Sequence, residues 1–182
     1  MLTGTVLFVN SYLRRARLFY QRTTLRQPLT HLWLFFTTAC SVLAVDQISK
    51  ALVLVFDRDE EIVLIENLLS FKLARNSGAA FSLGEGNTWL FTTLALIVLS
   101  LIIAQLLRRE NTMPQSEFFI AGVFCGGVAG NLSDRLFRDP GFFVGHVVDF
   151  ISVGSWPTFN FADSAIFISA VLYTLFVFRA DR

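Results

Sequence analysis

Apolar residues run through this chain in four long blocks, at residues 32–56, 89–107, 118–132 and 162–178, with polar residues collected between them. A helix needs about 20 residues to cross the hydrocarbon core of a bilayer. The first two blocks reach that length alone. The other two reach it if each helix continues a turn or so into the polar tracts beside it. The pattern therefore predicts a membrane α-helical protein with four transmembrane helices. The segment after the first block reads differently. Residues 62–65 and 70–75 are short runs of strand-like composition broken by Glu66 and Asn67, which predicts a small extracytoplasmic β-sheet built from the first outer loop. Such a sheet would rest on the outer leaflet, its edge partly covered by lipid or substrate.

Composition excludes the alternatives to a membrane protein. Of 182 residues, 54% are hydrophobic and 16% charged, and the mean hydropathy is +0.58, too apolar for a soluble domain of this length. No Pro, Gly or Ser-rich linker divides the chain, so residues 32–182 read as one membrane domain preceded by a basic extension, residues 1–31. A net charge of +1 and the lack of a basic patch interleaved with stacking aromatics argue against nucleic-acid binding. Cys40 and Cys125 each sit in an apolar run with no partner at ligand spacing, which argues against a disulfide framework and a zinc site.

Charge sets the orientation. Arg14, Arg15, Arg17, Arg22 and Arg26 precede the first block, Arg108 and Arg109 follow the second, and Arg179 and Arg182 lie in the tail. The segments 57–85 and 133–160 are acidic and nearly balanced, respectively. The positive-inside rule then places both termini in the cytoplasm and the two long loops outside. In the extension the arginines follow the apolar stretch, the reverse of a cleavable signal. Residues 12–26 are expected to lie on the inner membrane surface, arginines toward anionic headgroups.

The residues with chemical potential lie on the outer side. Asp149 and Asp163 stand in strongly apolar tracts, where a close pair of carboxylates cannot both stay ionised and so shares a proton. Hydrolysis at a membrane surface is the chemistry this fits. Asp134 competes for the role, but its neighbour Arg135 suits it to an ion pair, whereas the apolar flanks of Asp149 raise its pKa toward a useful value. Asp139, between Arg138 and Pro140, reads as a solvated turn. Asp46 lies inside the first span, where an ionised carboxylate costs on the order of 3 kcal/mol, and Lys50 one turn on makes a structural pair with it. Asn131 and Arg135 share a helix face, as do Asn160 and Asp163. These polar residues either position a substrate or cap helix ends and satisfy loop backbone. Gly126, Gly127 and Gly130 form a small-residue face for close helix packing. His146 has no nucleophile beside it, and Trp89 and Trp156 read as interfacial anchors.

The ordered tracts Asp46-Gln-Ile-Ser-Lys50, Asn76-Ser-Gly-Ala-Ala-Phe-Ser82, Gly126-Gly-Val-Ala-Gly-Asn-Leu-Ser-Asp-Arg135, Val147-Val-Asp-Phe150 and Phe159-Asn-Phe-Ala-Asp-Ser164 resemble bacterial lipoprotein signal peptidase, the signal peptidase II family. The resemblance covers the chain from about residue 32 onward. It implies an aspartyl endopeptidase of the bacterial inner membrane with no metal or cofactor. Such an enzyme removes signal peptides from diacylglyceryl-modified prolipoproteins, cutting before the lipidated cysteine. On this resemblance Asp149 and Asp163 are the catalytic pair, Asn76, Asn131, Arg135 and Asn160 line the substrate site, and Asp46 supports it. The segment between Asp149 and Asp163 is short for the family. Its partners would be prolipoproteins and membrane lipids; the oligomeric state stays open, a monomer being sufficient.

Two other classes compete. A proton-coupled transporter would also carry intramembrane carboxylates, but four spans show neither an inverted repeat nor a pair of broken helices. A noncatalytic assembly subunit would account for the glycines, not for polar residues gathered on one side of the bilayer.

Overall fold

The computed structural model describes residues 30–56, 61–78, 87–108 and 114–180. Among them the elements follow as α1 (Thr30–Phe56), β1 (Ile62–Ile65), β2 (Leu69–Asn76), α2 (Thr88–Leu107), α3 (Gln115–Phe137), β3 (Val147–Val153) and α4 (Phe161–Ala180). The interfacial stretch expected at 12–26 lies outside the described residues.

The polarity of the fold is inverted relative to a protein dissolved in water. Trp33 is 66% exposed and Val55 77%, whereas Asp46, Lys50 and Asp134 are all at 0%. Hydroxyls on the outer faces are satisfied within their own helices: Thr37 donates to the Trp33 carbonyl, Ser41 to Thr37, Thr93 to Trp89 and Thr174 to Ala170, each at 2.8 Å. A surrounding medium without hydrogen-bonding partners demands this arrangement. The stretches His31–Val55, Thr88–Leu107 and Phe161–Arg179 are long and apolar enough to cross a membrane.

α3 is 23 residues long but is not among those three. The reason is its position in the bundle, in contact with α1, α2 and α4. Gly122 and Gly126 let it approach α1, where a methyl group would meet the carbonyl oxygens of Phe35 and Ala39 at 2.8 and 2.7 Å. On the other side, a methyl on Gly127 would lie 2.6 Å from the Ala162 carbonyl of α4. A helix surrounded by protein needs small residues and polar partners more than it needs apolar bulk.

The predicted strands form, and the sheet gains a third that the sequence pattern did not reveal. Its order is β1-β2-β3, antiparallel throughout. β3 pairs Asp149 with Ala74 and Val147 with Asn76. Val147 to Phe150 are all buried, so the alternation that marks a half-exposed strand is absent, although β-branched and aromatic residues favour extension. The short segment after β3 turns back at Gly154, whose φ is +54°. Phe159 then exchanges backbone hydrogen bonds with Ile151 at 2.8 and 2.9 Å. This tight return sets the start of α4 beside β3 and accounts for how few residues separate Asp149 from Asp163.

Placing Val at position 126 should force α3 away from the α1 backbone, at a cost of about 1–3 kcal/mol for overpacking. Gly141, with nothing within 4 Å of an added methyl group, should accept Ala with a change within about 0.5 kcal/mol. Thermal unfolding of Gly126→Val and Gly141→Ala in detergent checks the contrast; equal midpoints would contradict this packing.

Candidate active site

α4 begins with a reciprocal cap. The Asn160 side-chain oxygen accepts the Asp163 N–H at 2.9 Å, and the Asp163 carboxylate accepts the Asn160 N–H at 3.2 Å. This capping box fixes Asp163 at the first turn. Its other oxygen accepts from the Asn131 amide of α3 at 2.7 Å. Asp149 is held from two sides on β3: Asn160 Nδ2 donates to Oδ1 at 2.6 Å and Asn76 Nδ2 to Oδ2 at 3.0 Å. Asn160 Nδ2 also donates to Asn131 Oδ1 at 3.1 Å. Two asparagines thus link the two carboxylates: Asn160 donates to Asp149 and to Asn131, and Asn131 donates to Asp163. The four residues from α3, β3 and the entry to α4 that the sequence marked do come together.

Burial is the main cause that pushes the Asp149 carboxyl up to about 7, and the nearby charge of Asp163 raises it further. The hydrogen bonds from Asn76 and Asn160 and the charge of Lys50 oppose the rise. An aspartate in this range exchanges its proton near neutral pH.

Both carboxylates open into a cavity of about 580 Å³. Asn76, Asn131 and Arg135 contribute its polar lining, and Leu94, Val98, Phe124, Ile166 and Phe167 its apolar walls between α2, α3 and α4; Trp156 also lines it. Arg135 donates to the Gly78 carbonyl at 3.2 Å and stacks over Phe91 at 5.7 Å. Its Nε has no hydrogen-bond partner among the described residues.

Asp134 is an ion-pairing residue, as its sequence context indicated, but its partner is not Arg135. Consecutive helix residues point about 100° apart, so Arg135 faces the cavity while Asp134 faces α1. There Asp134 meets Lys50 at 2.8 Å, and it meets Arg138, at the C-terminal cap of its own helix, at 2.6 Å. Asp46 lies behind the cavity, paired with Lys50 at 2.8 Å and accepting the Ala162 N–H at 2.9 Å. Asp139 is exposed in a turn, where its carbonyl accepts the backbone N–H of His146 at 2.8 Å. Sequence reasoning missed how far Lys50 reaches and the part of Gln47, whose amide donates to Asp46, Gly130 and Asp134 at 3.1 to 3.2 Å. The available signal was the spacing of Asp46, Gln47 and Lys50 on one side of an otherwise apolar helix. No group of three or more potential metal ligands stands together among the described residues.

The family model for signal peptidase (SPase) II matches residues 38–179. Among curated relatives, the lipoprotein signal peptidase of Rhodococcus jostii (strain RHA1) is 43% identical over 150 residues, 80% of this chain and 74% of that protein. Those of Leifsonia xyli subsp. xyli (strain CTCB07) and Mycolicibacterium smegmatis (strain ATCC 700084 / mc(2)155) are each 41% identical, over 78% and 85% of this chain, which spans 65% and 66% of their lengths. A bacterial membrane enzyme solved by the in meso method at 2.3 Å resolution shares the fold, with a TM-score of 0.68 at 23% identity over 80% of this chain and 87% of that one. A second, solved by the same method at 1.9 Å, gives a TM-score of 0.64 at 24% identity over 78% and 90%.

Neutralising Asp163 removes the charge that raises Asp149, so the Asp149 midpoint should fall in Asp163→Asn. It should rise in Asn76→Ala, which loses a hydrogen bond to the carboxylate. Infrared titration of the carboxyl band in purified protein reads both shifts; an Asp149 midpoint unmoved by either substitution would sink this account of its environment.

Proposed function

The chain belongs to the signal peptidase II family, and from that premise we propose that it removes signal peptides from prolipoproteins by an aspartyl mechanism at the outer face of a bacterial inner membrane. The observation that carries this reading is the pair Asp149 and Asp163, cross-held by Asn131 and Asn160 at the polar lining of an apolar cavity.

Two such carboxylates hold one proton between them and titrate as a unit. The ionised member takes a proton from a water molecule as its oxygen attacks the scissile carbonyl carbon. The protonated member hydrogen-bonds the carbonyl oxygen as the tetrahedral intermediate forms. A proton passes to the leaving nitrogen as the C–N bond breaks. Asn76, Asn131, Asn160 and Arg135 bind and orient the peptide around this pair, and Asp46 supports the site from behind.

The substrate reaches the site from the bilayer. The apolar walls supplied by α2, α3 and α4 accept the signal peptide, and the acyl chains of a diacylglyceryl-modified cysteine stay in lipid while the bond before that cysteine meets the carboxylates. α3 is the fourth span: its polar and small residues face the bundle, so it needs less apolar surface than the helices around it. Both termini are cytoplasmic, and the sheet lies on the outer leaflet.

Asp149→Asn and Asp163→Asn should each abolish cleavage of a diacylglyceryl-modified prolipoprotein peptide in proteoliposomes while leaving insertion intact. Amides keep the shape but cannot exchange the proton. Near-normal turnover in either variant would remove that aspartate from the mechanism.

Buried acyl chains contribute about 0.8 kcal/mol per methylene, so the same peptide with an unmodified cysteine should be cut far more slowly. Equal rates on the two peptides would leave the aspartyl chemistry standing and identify a general membrane peptidase.

A further inference from the structure

Lys50 is fully buried on α1, and its ammonium meets three acceptors on two helices: Asp46 Oδ2 at 2.8 Å, Asp134 Oδ2 at 2.8 Å and Asn131 Oδ1 at 3.1 Å. Three acceptors match the three protons of an ammonium. Each acceptor leads to the reacting pair. Asp134 Oδ2 accepts the N–H of Val148, the residue before Asp149, at 3.1 Å. Asp46 Oδ1 accepts the N–H of Ala162, the residue before Asp163, at 2.9 Å. Asn131 donates to Asp163 and accepts from Asn160, which donates to Asp149.

We propose that Lys50, bridging Asp46 and Asp134, is a positioning residue for the reaction: it fixes the two backbone segments that carry Asp149 and Asp163 and the amides that orient both carboxylates, and so sets the separation at which the pair shares a proton. The inference rests on the aspartyl reading above. Lys50 does not itself line the cavity; its contacts are Asp46, Asp134 and Asn131, and of these Asn131 lines it. The cluster is closed in charge, since Asp46 and Asp134 are balanced by Lys50 and by Arg138, which bonds Asp134 at 2.6 Å. Removing Lys50 therefore leaves two facing carboxylates to repel, and the two N–H anchors move apart.

The charge of Lys50 also favours the ionised form of Asp149. The groups that act on that carboxylate are Lys50 from α1, Arg135 from α3 and Asp163 at the head of α4, with Asn76 of β2 and Asn160 bonded to it, while Asp46 and Asp134 lie behind it against Lys50. Of the two cations, Arg135 lines the cavity and Lys50 does not. Loss of Lys50 makes the carboxylate harder to ionise, so the acid limb of the rate profile moves to higher pH.

The test is cleavage of a diacylglyceryl-modified prolipoprotein peptide by the full chain in proteoliposomes, with kcat, KM and the pH profile measured for wild type, Lys50→Met, Asp46→Asn/Lys50→Met and, as reference, Asp149→Asn. The double variant preserves the formal charge of the cluster and an oxygen for the Ala162 N–H, so it isolates the loss of the bridge. Misplacing reacting groups by about 1 Å lowers rates about 100-fold; both Lys50 variants should lose kcat on that scale with KM within about three-fold. The acid limb should move up in Lys50→Met and less in the double variant. If Lys50→Met does not fold, the double variant decides.

A folded variant with kcat near wild type would overturn the proposal. So would a loss confined to KM, or failure of both variants to fold, which would make the cluster a frame for the bundle alone. If wild type does not cleave the peptide, or Asp149→Asn still does, the aspartyl reading itself fails, and that result is distinct from any of these.

Discussion

An ammonium group buried where neither water nor lipid headgroups reach it must find all its partners in the protein, and Lys50 is such a group. Removing one partner from a buried ion pair costs about 3–5 kcal/mol, because the other charge is left unpaired. The requirement propagates outward. Asp46 and Asp134, once drawn in by Lys50, have lone pairs of their own to satisfy. They take the backbone N–H groups of Ala162 and Val148, the Arg138 guanidinium and the Gln47 amide. A network that begins with one buried charge therefore ends by binding α1 to α3, β3 and α4.

The network is possible only because helices come close enough for short side chains to meet. Gly130 is the clearest case: a methyl group there would lie 2.5 Å from Asp46 Oδ2 and 3.2 Å from the Ala162 side chain. The carboxylate of Asp46 occupies the space that any larger residue would fill. In lipid, close approach of this kind replaces the hydrophobic effect as the source of helix association. It also explains the small residues of α3 at Gly122, Gly126, Gly127 and Gly130, while Phe118 and Cys125 of the same helix pack into the apolar core with Phe35 and Leu106.

The helices and the first two strands were legible because their signals are local: apolar runs of spanning length, and strand-like runs broken by Glu66 and Asn67. The candidate site was legible as a set of residues through its ordered motifs and resemblance to a family, but not as a geometry. β3 was hidden because burial on both faces erases alternation. The partners of Asp134 were hidden because sequence adjacency favours Arg135, whereas the helix turns Arg135 toward the cavity and brings Arg138 and the distant Lys50 to the carboxylate. Lys50 itself was readable only as far as its neighbour four residues away. Its contacts with Asn131 and Asp134 span 81 residues or more, and no local pattern encodes them.

Closing the charge of one cluster has a consequence for the other. Lys50 and Arg138 balance Asp46 and Asp134, so among the described residues Arg135 is the cation that lines the cavity beside the two carboxylates. In the proposed two-aspartate reaction the pair shares one proton and so carries a single negative charge, which Arg135 offsets. A doubly ionised pair would exceed that compensation in a buried site, and a doubly protonated pair would leave Arg135 unbalanced. The arrangement therefore favours the singly protonated state that the proposed water activation requires. The bulk of the apolar cavity is left free of any charge that would repel a hydrocarbon chain.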